Sequence, residues 1–245
     1  MTKPKLYIFA ISHYCEKSRW ALDYFGIEYD LVAIAPGVHI KLARSLGLSN
    51  TTVPILTDGD TVVQGSADII TWGENRSHKS LKPTDDITEC EVIEKRLDEI
   101  AGVHVRRCYY SEAMVDYADT VRPFFLTGIP LLHKLVVWWK WNFIRKMMIK
   151  GMDLGAAQHV ESRNIIDAEL DWLDGILADG RPYLLGDTFS RADIAMASLF
   201  APIVIPKEHP TYANFVLPPL MKEIAAKWQD RVSLKHALAV YSQFR

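Results

Sequence analysis

The 245-residue chain has little cysteine, little net charge and no long uninterrupted hydrophobic run. Its three cysteines, Cys15, Cys90 and Cys108, are odd in number and far apart, which fits a reducing compartment better than a disulfide framework. They also lack the spacing of zinc ligands, so we expect no metal site. A net charge of -2 lacks the strong positive field that nucleic-acid binding usually needs, and we expect no nucleic-acid partner.

The first apolar run, at residues 6–11, is too short for a secretory signal and is followed at once by a polar turn. We therefore interpret it as a first strand, and we expect a cytoplasmic protein. A hydrophobic content of 49% and a charged content of 24% are typical of an ordinary globular protein. The length predicts one or two domains, and the pattern along the chain favours two.

Strand and helix signals alternate in the first part of the chain. Residues 6–11 form a continuous apolar run, which predicts a buried strand, and Ser12 after it is a good helix N-cap. Apolar residues at helical spacing over 20–25 precede Gly26, a typical helix C-cap. Residues 29–34 then predict a second strand, parallel to the first.

A shorter helix and a hairpin follow. The helix is expected around residues 39–46, and the apolar runs 53–56 and 61–63 flank the turn signal Asp58-Gly59-Asp60. Another helix is expected from Ser66 onward. Strand, helix, strand, helix, strand, strand and helix thus follow one another within the first 76 residues.

Beyond this point strand signals vanish. Residues 77–85 are polar with one proline and are typical of a linker. Apolar residues at steps of three and four then mark long helices around 93–100 and 166–177. The sequence therefore predicts an α/β domain over 1–78 and an all-α domain over 86–245.

Three motifs carry a resemblance to a known family. Residues 12–19, Ser-His-Tyr-Cys-Glu-Lys-Ser-Arg, look like an active-site turn with its first helix. The dipeptide at 53–54, Val-Pro, is similar to one that precedes a third strand, and residues 189–194, Phe-Ser-Arg-Ala-Asp-Ile, are similar to a helix capping box. In this order the motifs resemble the cytosolic glutathione transferase superfamily, in particular a bacterial transferase-like subgroup with an active-site Ser-His-Tyr-Cys-Glu-Lys segment.

The resemblance implies a thioredoxin-like, glutathione-binding domain at 1–78 and an all-helical, substrate-binding bundle at 86–245. A transferase must lower the pKa of the glutathione thiol from about 8.5 by roughly two units, or about 2.7 kcal/mol. A hydrogen bond to a charged group contributes about 1.5 to 3 kcal/mol and a helix N-terminus about 0.3 to 1 kcal/mol. One hydroxyl at the start of a helix is therefore sufficient.

Two residues of the first motif are catalytic candidates. When Arg19 is matched to the family's arginine, Ser12 falls at the catalytic serine of serine-type transferases, and Cys15 falls at the second cysteine of a glutaredoxin Cys-x-x-Cys. This register favours Ser12 as the hydrogen-bond donor to the glutathione thiolate, with a plain N-cap as the alternative. The helix dipole could acidify Cys15 for deglutathionylation chemistry, or Cys15 could be a small residue packed under the turn.

The resemblance also implies residues that hold glutathione. Val53 would offer its backbone to the cysteinyl unit if Pro54 is cis. Ser66 opens a helix whose amides and hydroxyl could hold the γ-glutamyl carboxylate, with capping alone as the alternative. Gly65 replaces the family's usual acid at this point, which leaves the glutathione affinity open.

Weaker candidates are predicted for the remaining contacts. His39 and Lys41, on the short second helix, are candidates for the glycyl carboxylate, with solvated surface as the alternative. Candidates for contact with a second substrate are Tyr14, Arg106, Tyr109 and Tyr110.

Residues 120–152 contain no Asp or Glu but carry six Lys or Arg residues and three tryptophans. A basic aromatic helix at 130–150 could dock on an anionic membrane surface, although charge interrupts it well short of the about 20 apolar residues that span a bilayer. The alternative is a helix that packs within the domain or covers the substrate cleft.

These observations predict a glutathione transferase that uses glutathione as co-substrate against a small hydrophobic electrophile, in detoxification, as a homodimer. Two alternatives stay open. One is a glutathione-dependent thiol reductase or deglutathionylase that uses Cys15, and the other is a non-catalytic glutathione- or membrane-associated binding protein.

Overall fold

The computed structural model describes residues 3–83 and 86–245. The described residues up to Lys79 form one compact unit together with Asp119–Met147, and a second unit is formed by Ser80–Ala118 and Met148–Arg245. The helices at 119–147 thus cluster with the N-terminal part of the chain, whereas the sequence predicted one uninterrupted helical domain. Thr84 and Asp85, within the predicted linker, lie outside the described residues.

The first unit is built on a four-stranded mixed sheet with the strand order β2-β1-β3-β4. β1 pairs in parallel with β2 and antiparallel with β3, which in turn pairs antiparallel with β4. The predicted parallel pair and hairpin are confirmed. The strands are β1 (Lys5–Ile8), β2 (Asp30–Ala33), β3 (Ile55–Asp58) and β4 (Thr61–Gln64).

The first strand is shorter than the apolar run that predicted it. β1 ends at Ile8, because the N–H of Ser12 donates to the carbonyl of Phe9 at 3.0 Å and closes a turn. Ile11 lies beyond the end of the strand but is buried, so its apolar side chain packs in the core although the residue is not part of the sheet. The turn leads directly into the first helix.

Three helices complete the thioredoxin-like part of the first unit, and two more belong largely to it. Gly26 ends the first helix with a φ of 71°, as predicted for a C-cap. The helices are α1 (His13–Phe25), α2 (Val38–Ser45) and α3 (Ser66–Glu74), with α6 (Ala118–Phe125) and α7 (Leu131–Gly151) later in the chain. The core between sheet and helices contains Leu6, Ile8, Cys15, Leu22, Leu56, Ile69 and Trp72.

The second unit is built from helices, and its described residues add only two isolated bridges, between Tyr183 and Gly186 and between Leu185 and Thr188. α9 is its central helix, with almost every side chain buried. Its N-terminus carries the predicted capping box, formed by Ser190 and Asp193. The helices are α4 (Ile87–Arg96), a π-helical turn (Leu97–Ala101), α5 (Gly102–Ala113), α8 (Ala156–Ile176), α9 (Arg191–Val204), α10 (Pro219–Trp228) and α11 (Val232–Phe244).

Among the described residues, no helix combines the length and the apolar character needed to cross a bilayer. This includes α7, whose 21 residues are interrupted by basic side chains.

Candidate active site

The strand register brings the main candidate residues to one end of the sheet. Tyr7 of β1 lies opposite Ile55 of β3, and Ile55 lies opposite Gln64 of β4. Because β3 is antiparallel to both neighbours, its beginning meets the ends of β1 and β4. The turn to Ser12, the Val53-Pro54 dipeptide and the start of α3 therefore share this end of the first unit.

Ser12 caps α1 in the predicted way. Its backbone is extended, with φ -79° and ψ 120°, and its Oγ accepts a hydrogen bond from the backbone N–H of Cys15 at 3.3 Å. A hydroxyl has two lone pairs and one proton, so after accepting this bond it keeps a proton to donate, and the Cys15 side chain is one group within its reach. The half-buried hydroxyl thus lies at the positive end of a helix with donor capacity.

Cys15 lies in the hydrophobic core, with only 1% of its surface exposed. Burial raises the pKa of its thiol to about 11, although hydrogen bonds from the Ser12 side chain and the Phe9 backbone act in the opposite direction. The acidification expected from the helix N-terminus is therefore outweighed. At neutral pH Cys15 is a protonated thiol, which is a poor nucleophile.

Val53 precedes a cis peptide bond to Pro54, as the resemblance implied. It packs half-buried against the core of the first unit, and within the described chain no hydrogen bond engages its backbone N–H or C=O. The side chain of Gln64 fixes the loop before it, because Nε2 donates to the carbonyls of Asn50 at 3.0 Å and Thr52 at 2.8 Å. No local pattern in the sequence indicates this role of Gln64.

At the start of α3 the N-cap is Gly65 and not Ser66, which is the first helical residue. Gly65 has a φ of 99°, a conformation that favours glycine and explains why no acid occupies this position. Ser66 is 6% exposed, and no hydrogen bond to its hydroxyl is found among the described residues. The Ser66 hydroxyl therefore makes no capping hydrogen bond. As at any helix start, the first N–H groups of α3 lack intrahelical acceptors.

An acid that the sequence reasoning missed lies beside Gly65. The Oδ2 atom of Asp68, an exposed residue in the first turn of α3, is 3.9 Å from the position that a Cβ on Gly65 would occupy. A carboxylate is thus present close to the place of the family's usual acid. The sequence does contain an acid three residues after Gly65. Whether its side chain lies near Gly65 depends on the helix geometry, which the sequence pattern alone does not define.

The two candidates on α2 differ in charge. Nδ1 of His39 accepts a hydrogen bond from the N–H of Gly37 at 3.0 Å, and its ring lies edge-on to Phe9 with 4.9 Å between centroids. Burial lowers the pKa of His39, so that its ring is neutral at neutral pH. Lys41 is exposed and, within the described chain, forms no ion pair. Lys41 is therefore the better of the two as a cation.

Of the candidates for a second substrate, Tyr14 lies in the first unit and the other three lie in the second, where the rings of Tyr109 and Tyr110 are in contact with 5.3 Å between centroids. Tyr14, in α1, is half-buried beside His13, with 4.6 Å between ring centroids. In the second unit, Arg106 is half-buried, whereas Tyr109 and Tyr110 are buried at 3% and 6% exposure. Burial raises the pKa of Tyr109, whose ring stacks on another aromatic ring of the core. Substrate contact by these residues stays a prediction.

Comparison with known proteins agrees with this architecture. A model of the glutathione S-transferase N-terminal domain matches residues 6–80, and a model of the glutathione S-transferase C-terminal domain matches residues 156–215. The two models together match more than half of the chain. Comparison with curated protein sequences gives no match.

Three solved structures illustrate the likeness in fold. A glutathione S-transferase of Ceriporiopsis subvermispora in complex with glutathione superposes with a TM-score of 0.66 at 15% identity, over 100% of this chain and 98% of its own. The β-etherase LigF from Sphingobium sp. strain SYK-6 has a TM-score of 0.59 at 20% identity, over 99% of both chains. Glutathione S-transferase I from maize, in complex with an atrazine glutathione conjugate, has a TM-score of 0.58 at 17% identity, over 100% of both chains.

A thioredoxin-like unit with a small mixed sheet, followed by a helical unit, defines the class of fold. Because both family domains match in their proper order, the chain belongs to the glutathione S-transferase superfamily.

Proposed function

We propose that this protein binds glutathione at the shared end of the sheet and activates its thiol through Ser12 for transfer to a small hydrophobic electrophile. The observation that carries the proposal is the contrast between two neighbouring side chains. Ser12 caps α1 with a hydroxyl proton to donate, while Cys15 is buried with a pKa raised to about 11.

The proposed binding mode uses one group for each part of the tripeptide. The backbone of Val53 pairs with the cysteinyl unit, and the amides and hydroxyl at the start of α3 hold the γ-glutamyl carboxylate. Asp68 receives the γ-glutamyl ammonium in place of the acid that Gly65 lacks, since its carboxylate oxygen lies 3.9 Å from that missing side chain. Lys41 is the proposed cation for the glycyl carboxylate.

In the proposed reaction, the glutathione thiol releases its proton to solvent, and the Ser12 hydroxyl donates a hydrogen bond to the sulfur that stabilises the thiolate over the thiol. The thiolate electron pair forms a carbon–sulfur bond with the electrophilic carbon, and the leaving group departs with its bonding pair. A hydrogen bond to a charged group contributes about 1.5 to 3 kcal/mol, which is of the size that the thiol pKa shift requires.

The experiment that tests this proposal compares Ser12→Ala with Cys15→Ala in a conjugation assay. Ser12→Ala should lower kcat/KM by roughly 10- to 100-fold, and Cys15→Ala should leave it within about threefold. The reductase alternative predicts the opposite ranking. Retention of both variants on immobilised glutathione would show that their binding site is intact. If the unmodified protein itself is not retained, the result would favour a non-catalytic role outside glutathione chemistry.

The electrophile is proposed as a class and not as a compound. The maize neighbour is in complex with an atrazine glutathione conjugate, and LigF is described as a β-etherase, so proteins of this fold do not point to one electrophile. A panel of aryl halides, epoxides and aryl ethers would identify the reaction type.

We further propose that the protein acts as a homodimer in the cytoplasm and serves detoxification. Sedimentation equilibrium would test the dimer, cell fractionation the location, and the survival of a deletion strain on the identified electrophile the role in detoxification.

A further inference from the structure

α7 has two apolar faces, and one of them is covered. Val137 and Trp141 are buried, and the Trp141 ring lies 5.8 Å from the ring of Phe125 in the same unit. The opposite face carries eight large apolar side chains that are 45–79% exposed. These are Leu131, Leu132, Leu135, Val136, Trp138, Trp139, Phe143 and Met147. We call this set the outward face of α7.

The outward face is large for a single helix in water. At about 1.5 Å of rise per residue, its members extend over about 24 Å of helix. Scattered exposed apolar side chains are ordinary, but a continuous patch marks a surface that binds something apolar. A helix with apolar side chains on two opposite faces is normally covered on both, which α7 is not.

The charges on and around α7 indicate the kind of partner. Residues 120–152 contain no Asp or Glu, and α7 itself carries five basic residues. At 3.6 residues per turn, Lys134 and Arg145 lie along one border of the outward face and Lys140 along the other, while Lys146 and Lys150 lie on the same side of the helix as this face, near its C-terminal end. The acids that flank the segment have basic neighbours, since Asp119 lies 3.4 Å from Arg122 and Asp153 pairs with Arg107.

We propose that the outward face of α7 docks parallel to the surface of a bilayer that contains anionic lipids. Apolar and tryptophan side chains on one face with cations at its borders are the arrangement of an interfacial helix. Trp138 and Trp139 would sit at the level of the headgroups, and the lysine stems would lie along the apolar boundary with their ammonium groups near lipid phosphates.

A second copy of the chain is a poorer occupant of this face. A two-fold interface places the same surface on both sides, so cations at the borders would face cations with no acid in the segment to pair them. Anionic lipid headgroups carry the negative charge that residues 120–152 lack.

The test uses flotation of the full-length protein with vesicles of phosphatidylcholine alone and of phosphatidylcholine mixed with phosphatidylglycerol. We expect binding to the mixed vesicles, little binding to the neutral ones, and loss of binding as salt is raised. Equal binding to both vesicle types, or none to either, would overturn the proposal.

Two pairs of matched variants locate the surface. Trp138→Ser with Trp139→Ser should reduce binding to mixed vesicles by about tenfold or more, whereas Val216→Ser with Leu220→Ser, exposed apolar residues of the second unit, should not. Lys140→Glu with Lys146→Glu should likewise reduce binding by about tenfold or more, whereas Lys222→Glu with Lys227→Glu makes the same change of net charge on α10 and should have a much smaller effect.

Unchanged thermal unfolding would show that the variants are folded. If the α7 variants bind vesicles like the unmodified protein, or if each α7 pair changes vesicle binding as much as its control pair does, a surface other than α7 binds the vesicles and the proposal fails. If the protein self-associates, if Trp138→Ser with Trp139→Ser abolishes that association, and if vesicles do not compete with it, the occupant is a second copy and the proposal fails.

Discussion

At the scale of single residues, the environment of each side chain decides its role more than its chemical type does. Cys15 has the more reactive functional group of the two catalytic candidates, yet it is buried and its thiol pKa is raised to about 11. Ser12 is intrinsically the weaker group, but it is only half-buried and caps the N-terminus of α1. These two environments support the proposal that the serine meets the glutathione sulfur.

The sequence could predict the position of Ser12 because a serine after an apolar run is a local N-cap signal. It could not predict the burial of Cys15, since this depends on how α1 packs against the sheet. The orientation of Asp68 was also out of reach, because the first turn of α3 begins at Ser66, one residue earlier than a serine N-cap at this position would imply.

The raised pKa of Cys15 predicts an alkaline dependence of stability. A group whose pKa is higher in the folded state contributes stability that is fully present below its unfolded pKa, near 9, and is lost as pH rises through about 11. The free energy of unfolding should therefore fall between these pH values, and it should fall less steeply in Cys15→Ala. Denaturant titrations at several pH values measure this, and identical slopes in both proteins would contradict the assigned burial.

The placement of Asp68 predicts a specific effect on glutathione affinity. Asp68→Asn should raise KM for glutathione with little change in kcat, because it removes a charge for the γ-glutamyl ammonium and leaves Ser12 untouched. Asp60→Asn is the matched control, an exposed acid in the hairpin turn of the same unit. Equal KM values for the two variants would remove Asp68 from the site.

At the scale of elements, the N-terminus of α9 shows what local patterns predict and what they miss. The capping box of Ser190 and Asp193 was predicted from four residues of sequence, and the structure contains it. The carboxylate of Asp193 also accepts from the N–H of Leu184 at 2.9 Å and lies 3.1 Å from Nε2 of His236. These two contacts join distant parts of the second unit, so no local motif could reveal them.

Asp193 is fully buried, and its removal would leave several buried polar groups without their partner. Asp193→Ala should therefore lower the free energy of unfolding by about 3 kcal/mol or more. Asp187→Ala changes an exposed acid in the preceding loop and should cost less than about 0.5 kcal/mol. Normal melting of Asp193→Ala combined with lost activity would show that the capping box serves chemistry and not folding.

At the scale of the whole molecule, the chain leaves the first unit and returns to it. The sequence predicted a sequential boundary near residue 80, and helical periodicity correctly predicted helices beyond it. That α6 and most of α7 cluster with the first unit could not be predicted, because periodicity shows which face of a helix is apolar but not which unit covers it. α7 is apolar on both faces, so even its buried side was ambiguous.

Binding and thiol activation can be separated in the intact protein. An S-alkyl glutathione has no thiol to ionise, so it should stabilise the unmodified protein and Ser12→Ala to the same extent. At a concentration 100 times its Kd, a ligand that binds only the folded state adds about 2.7 kcal/mol. Thermal unfolding with and without the ligand measures this, and a loss of the stabilisation in Ser12→Ala alone would mean that Ser12 holds the tripeptide and does not act on its sulfur.

The most direct measurement of the central claim is the pKa of the glutathione thiol while it is bound, followed by the ultraviolet absorbance of the thiolate as pH is varied. In the unmodified protein and in Cys15→Ala it should lie roughly two units below the value of about 8.5 for a free thiol. In Ser12→Ala it should return most of the way to that value. A bound-thiol pKa that stays low in Ser12→Ala and rises in Cys15→Ala would contradict the assignment of Ser12.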